Sequence, residues 1–398
     1  MGRIRTALAI ALAVLVSACA PGPVPTLPSP TPAASPTLDA TEGPSPIAPS
    51  ESAGTTWRIG VLTSAKDSPN RAFDAQAFDG AARAAAAVGA AHPTVVEATS
   101  DADAALLLAA LVEQEFNIIV VSVDLAAAAA TAAKANPDVW YIGVDHEPCI
   151  DANGAVDLTA TDCAGDVATL LPNYIAMTYA EDQAGYLAGI AAASVTDADV
   201  IGAVGGVSLC APCIRYIQGY ELGARSVDPE ITVKVEWVSD SDFGLGFEDQ
   251  SAGKAFGQAF IAETAGLDVV FQVAGSTGLG IIDAACDAAI HAIGSEVDQH
   301  ESYPGSRPCI VTSAEKRLSE SVLRSIVAIA DGSAVGGRLR LDASADGIGV
   351  SPLYQAASRV APATQSRIDD ALEAMQAGTV TTCPADTCGS QDALPLGD

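Results

Sequence analysis

Positive charge is scarce in this sequence. Lys and Arg number 19 against 49 Asp and Glu over 398 residues, a formal charge of −30. A surface that acidic repels a polyphosphate and has no basic stripe with which to release counterions, so nucleic acid is not an expected partner. Histidine is rarer still, with four residues at no ligand spacing, and no resident metal or other cofactor is expected. The chain has no Gly-x-Ser-x-Gly elbow, no His-Glu-x-x-His and no Walker lysine, which leaves an enzyme without its usual signatures. Aromatic residues make up 5% of the chain, so each one carries more weight than usual. What is abundant is apolar: 49% hydrophobic residues and a mean hydropathy of +0.30 exclude a mostly disordered chain.

The N-terminus reads as an export signal over residues 1–18. Arg3 and Arg5 precede the apolar run Thr6–Val16, which is shorter than the roughly 20 residues a bilayer span needs. The run ends Val16-Ser17-Ala18-Cys19, which resembles the lipobox of bacterial lipoproteins, so Cys19 is the expected site of lipidation and the anchor to the extracytoplasmic face of the cell membrane. Residues 19–56 then turn rich in Pro, Ser, Thr and Ala. Such a stretch holds neither helix nor ladder and is expected to be a tether.

Eight further cysteines form an even set in a compartment where disulfides persist. Near neighbours give one simple connectivity among many: Cys149 with Cys163, Cys210 with Cys213, Cys286 with Cys309, and Cys383 with Cys388. Cys210-Ala211-Pro212-Cys213 also has the thioredoxin spacing, but the rest of the chain is organised differently, and an inert bridge is expected.

In the globular part, short apolar runs alternate with helical patterns. Strands are expected at 57–62, 94–97, 118–123 and 140–144, with helices from about Phe73 to Val88, 102–114 and 125–134 between them. The pattern restarts with strands at 201–204, 232–238, 269–273 and 290–294 and helices at about 214–226, 253–265 and 279–289. Two such sets predict two doubly wound, Rossmann-like α/β lobes with a ligand cleft beyond the carboxyl ends of their strands.

Five stretches, in order, carry a likeness to a known family. They are Glu181-Asp182-Gln183-Ala184-Gly185-Tyr186-Leu187-Ala188-Gly189, Ile201-Gly202-Ala203-Val204-Gly205-Gly206, Gln218-Gly219-Tyr220-Glu221-Leu222-Gly223-Ala224, the run Asp268–Gly280, and Ile310-Val311-Thr312-Ser313-Ala314-Glu315-Lys316. From about Trp57 to Val350 the chain resembles the basic membrane protein family of substrate-binding lipoproteins, whose best-understood members are purine-nucleoside receptors of ABC importers. The resemblance implies a type I periplasmic binding protein fold with three crossings between lobes. Lobe 1 would take residues 57–180 and 313–341, lobe 2 residues 181–312 and 342–375, and residues 376–398 would form a C-terminal extension. It further implies a monomer that binds a small molecule, a nucleoside, and delivers it to ABC permease subunits. The alternative is a lipoprotein that senses another small polar ligand through a membrane signalling partner.

A nucleoside receptor needs aromatic faces for the base and charged groups for the base edge and the ribose hydroxyls. The resemblance places Phe73 and Phe247 at the base, with Phe243 as the rival of Phe247. At the base edge it places Asn70 and Asp74, which trade places relative to the family's order of Asp and Asn. Glu296 stands in the slot of the family's ribose-binding aspartate, one methylene longer. Lys316 and Gly275 match a family lysine and a glycine whose backbone approaches the ligand. Asp124, just after the third strand, joins them on topology alone, though it could equally cap the following helix.

Overall fold

The computed structural model describes residues 56–64, 71–157, 163–354, 362–390 and 394, without the side chains of residues 124, 304, 306 and 307. The signal segment, Cys19, the tether up to residue 55 and Asn70 lie outside the described residues.

The purely apolar runs become strands because they are buried on both faces. Ile118–Val121 and Val269–Val273 are buried at every position, as expected of inner strands in a parallel sheet covered by helices on either side. The first sheet contains β1 (Ile59–Ser64), β2 (Thr94–Ala98), β3 (Ile118–Val121), β4 (Trp140–Gly143), β5 (Tyr174–Tyr179) and β11 (Gly337–Leu341), in the order β11-β5-β4-β3-β1-β2. The second contains β6 (Val200–Val207), β7 (Thr232–Ser239), β8 (Val269–Val273), β9 (His291–Glu296), β10 (Ile310–Lys316) and β12 (Ile348–Val350), in the order β12-β10-β9-β8-β6-β7. Every pairing is parallel except that of β12 with β10. These are two doubly wound α/β sheets of matching order.

The helices that position the cleft are α1 (Arg71–Val88), α5 (Glu181–Val195), α6 (Ala211–Val227), α7 (Phe243–Phe247), α9 (Gly275–Asp287), α11 (Leu318–Asp331) and α12 (Pro362–Gln376). Helices α5 and α6 lie against each other through reciprocal glycines. A Cβ at Gly185 or Gly189 would fall 2.0 Å from the carbonyl oxygen of Tyr216 or Tyr220, and one at Gly219 or Gly223 would fall 1.9 Å from that of Asp182 or Tyr186. No side chain fits there, so the glycines of two sequence motifs serve one close helix contact. A single buried apolar cluster then runs from Ile59 and Val61 of the first sheet through Leu187 and Ala191 of α5 to Phe271 and Ile293 of the second.

Two sequence expectations need correction. The break placed between residues 312 and 313 cuts β10, which pairs with β9 from Ile310 to Glu315. The strand belongs whole to the second sheet, and the chain leaves it only after Lys316. Periodicity also omitted β5, β10, β11 and β12; before β5 the strand–helix alternation is interrupted, since among the described residues between β4 and β5 there are only the short helix α4 (Val167–Leu170) and the bridged loop of Cys149. The structure joins Cys149 to Cys163, Cys210 to Cys213, Cys286 to Cys309 and Cys383 to Cys388.

Candidate functional site

In a parallel sheet the loops at the carboxyl ends lie on one side, and here both sheets turn those ends to a common cavity of about 380 Å³. Helix α1 supplies Phe73. Val123 follows β3 and Asp145 follows β4. The start of α6 and its N-cap bring Cys210, Pro212, Cys213 and Tyr216, while α7 brings Phe243 and Phe247 with Glu248 beyond them. Val273 and Gly275 close the β8 end, and Ser295, Glu296 and Lys316 close those of β9 and β10.

Lys316 is the electrostatic centre. Its ammonium lies 2.6 Å from Asp145 Oδ2, 3.4 Å from Glu296 Oε1 and 3.5 Å from Glu181 Oε1, and its side chain is 2% exposed. The rings of Tyr216 and Tyr179 face it at 5.6 and 5.8 Å, distances at which a ring face still attracts a cation. Desolvation pulls the Lys316 pKa down, but Asp145, Glu296, Tyr216 and Glu181 together outweigh it, so the group is held well above the usual lysine value. Burial pushes the Asp145 carboxyl up to about 7; Lys316 opposes the rise, and repulsion from Glu181 and Glu296 adds to it. Three acids thus share one central ammonium, and a second cation, Arg215, donates from Nε to Glu181 Oε2 at 2.9 Å. Asp145 and Glu296 both hold left-handed backbone, at φ of 61° and 67°. For non-glycine residues that conformation costs about 1–2 kcal/mol, and here it aims two carboxylates at one point.

Gly275 also has positive φ, 52°, and a Cβ there would approach the carbonyl oxygen of Phe247 to 3.0 Å. It opens α9 and itself lines the cavity. Behind it the fully buried Gln272 accepts from Ala274 N at 3.0 Å and donates to Gln299 at 2.7 Å and Ser295 at 3.1 Å, tying together the turns after β8 and β9.

Of the residues expected from sequence, Phe73, Phe247, Gly275, Glu296 and Lys316 line this cavity. Asp74 does not. It is buried one residue deeper and accepts a hydrogen bond from Ser122 Oγ, at the carboxyl end of β3. Asp124 lies in a 3-10 turn, Val123–Leu125, whose first residue lines the cavity; its own side chain is outside the described set. Sequence reasoning missed Asp145, Glu181, Tyr216 and Arg215. Asp145 could have been found by the rule that selected Asp124, since it closely follows a strand end. Glu181 begins a recognised motif helix, but no local signal shows that it meets Lys316.

Residues 62–376 match the family model Bmp, described as ABC transporter substrate-binding protein PnrA-like. The chain belongs to this family. Among curated relatives, the ABC transporter nucleoside-binding protein BmpA of Lactococcus lactis subsp. cremoris is 33% identical over 141 residues, 33% of this chain and 37% of that protein. Basic membrane protein D of Borreliella burgdorferi is 27% identical over 183 residues, 45% of this chain and 51% of the relative. The matched stretches thus span about a third to a half of those relatives. Solved structures share the fold: an ABC transporter solute-binding protein from Conexibacter woesei superposes with a TM-score of 0.64 at 19% identity, covering 82% of this chain and 98% of its own. One from Aeropyrum pernix superposes at 0.63 with 20% identity, covering 85% and 96%. The type I solute-binding fold of this Bmp-family chain is thereby established, and among its described helices none is long and apolar enough to cross a membrane.

Proposed function

We propose that this Bmp-family protein captures a nucleoside in the cavity around Lys316 and hands it to an ABC permease. The observation that carries the reading is the pairing, in one cavity, of two phenyl rings from opposite sheets with an acid-rich cluster. Phe73 and Phe247 offer apolar faces to a flat base, and Asp145 and Glu296 are acceptors for vicinal ribose hydroxyls, with Lys316 a donor between them. The three acids exceed the two cations that serve them, which favours a ligand that donates hydrogen bonds over an anion. Ser122 and Asp74 support the same end of α1 that carries Phe73.

The sheets act as lobes 1 and 2, and three interlobe crossings supply a hinge by which ligand closes the cleft and creates the surface a permease reads. Lipidation at Cys19 and the tether of residues 19–56 would hold the protein, as a monomer, on the extracytoplasmic face of the membrane. The test is calorimetric titration with adenosine, guanosine, inosine, cytidine and uridine. Micromolar or tighter binding of at least one of them is expected, and no heat from any at millimolar concentration overturns the assignment.

A further inference from the structure

The C-terminal loop closed by Cys383–Cys388 docks on the helix that forms one wall of the cavity. Gln218 of α6 is fully buried, and the loop takes up its side-chain amide: Nε2 donates to the carbonyl oxygens of Thr387 (2.9 Å) and Ser390 (3.4 Å), and Oε1 accepts from Gly389 N at 2.8 Å. Thr382 Oγ1, just before the loop, donates to Asp182 Oδ2 of α5 at 2.5 Å. Gly389 holds φ at +79° and rides over the first turn of α6. A Cβ there would lie 3.4 Å from Arg215 Nη1 and 3.5 Å from Ala211 Cβ.

These contacts lead directly to the binding cluster. Arg215 bonds Glu181 at 2.9 Å, and Glu181 lies 3.5 Å from the Lys316 ammonium. We infer that the C-terminal clip is a positioning element of the ligand site: by seating Arg215 on Glu181, it leaves Lys316 to Asp145, Glu296 and the ligand. The physical reason is a competition. Lys316 has three carboxylates within 3.5 Å, and any one that loses its second cation attracts the ammonium more strongly. A displaced Arg215 would draw Lys316 toward Glu181 and away from the cavity. The clip also grips α5 through Asp182 and α6 through Gln218, the two helices whose glycine contact sets where Glu181 and Tyr216 stand. Gln218, Thr382 and the clip touch no ligand and act only through these groups. The inference rests on the cavity around Lys316 being the ligand site.

The test compares the full chain with its Cys383→Ser/Cys388→Ser variant by two readouts. One is affinity for guanosine and adenosine. The other, which needs no ligand, is acetylation of Lys316 by an N-hydroxysuccinimide ester, quantified by mass spectrometry against Lys134 and Lys254. Opening the clip is expected to weaken binding at least about fivefold and to lower Lys316 acetylation several-fold, with the two reference lysines unchanged. A variant that melts earlier but keeps both the affinity and the Lys316 acetylation rate would reduce the clip to a stabilising device and overturn the inference. If the parent protein binds neither nucleoside, the ligand assignment fails and Lys316 acetylation alone decides. Should the double variant not fold, Thr382→Val removes one strand of the grip and should shift both readouts the same way, with Thr382→Ser restoring them.

Discussion

Lys316 Nζ and Asp145 Oδ2 stand 2.6 Å apart across a sequence separation of 171 residues, one ending β10 of the second sheet and the other following β4 of the first. This ion pair bridges the two sheets inside the cavity, and under the proposed function it would also meet the ligand. Its acid-rich surroundings make it sensitive to charge.

Replacing Lys316 with Met leaves Asp145, Glu181 and Glu296 facing one another without their shared cation. Loss of one partner from a buried ion pair costs about 3–5 kcal/mol, and that loss is expected near pH 8 in urea denaturation. Near pH 5 the Asp145 carboxyl, which burial pushes up to about 7, holds a proton and the loss should shrink. An equal loss at both pH values would mean that the cluster is not electrostatically coupled. Nucleoside binding should be lost at either pH.

The raised Asp145 pKa, about 7, has opposite consequences for affinity and for stability. Under the proposed function ribose hydroxyls would donate to the ionised carboxylate, so affinity should rise as pH climbs from about 6 to 8 and then level off. The unliganded fold, however, holds a proton that the unfolded chain releases near pH 4. Its contribution is present below about pH 4 and is lost as pH rises through 7. Buried His146, pushed down to about 4, gives the opposite slope below about pH 6.5. The comparison is therefore between the native chain and Asp145→Asn, which should flatten the affinity profile from pH 6 to 8 and remove the Asp145 part of the melting-temperature profile.

Phe73 and Phe247 separate structural from binding roles. Phe73 is 5% exposed within the main core cluster, so Phe73→Ala should cost about 3–5 kcal/mol of stability along with affinity. Phe247 is only partly buried against that cluster. Phe247→Ala should weaken nucleoside binding by about 1 kcal/mol or more, roughly fivefold or greater, with a smaller change in melting temperature. Paired calorimetry and thermal melts check both, and the expectation fails if Phe247→Ala leaves the affinity intact.

Gly219→Ala places a methyl 1.9 Å from the carbonyl oxygen of Asp182, a backbone atom that moves only with all of α5. Overpacking of this kind costs about 1–3 kcal/mol, and because α5 carries Glu181, affinity should fall as well. Gly89→Ala, where no atom stands within 4 Å but φ is +70°, is the control: a strain penalty without a change in binding.

Much of this architecture is legible in the chain. Ile118–Val121 and Val269–Val273 are unbroken apolar runs, and a parallel strand buried on both faces has no other way to be written. The paired glycines at 185 and 189 and at 219 and 223 mark two motif helices, though only their contact explains why glycine is required. Phe73, Phe247, Gly275, Glu296 and Lys316 could be picked out because they stand within or beside recognisable stretches. Asp74 stood in such a stretch too, yet it turns to Ser122, because a one-residue step along α1 rotates a side chain by about 100°.

The sequence alone determined the α/β alternation and the acidic character that disfavours nucleic acid. Those follow from periodicity and composition, which are carried by residues within a turn or two of one another. Only the tertiary structure decided that Asp145, Glu181 and Glu296 meet on Lys316, that Arg215 covers Glu181 from behind, and that the C-terminal clip reaches Gln218. Each of these depends on which sheet a strand joins and how closely two helices approach, so the partners are set by packing across 20 to 171 residues rather than by neighbours in the chain.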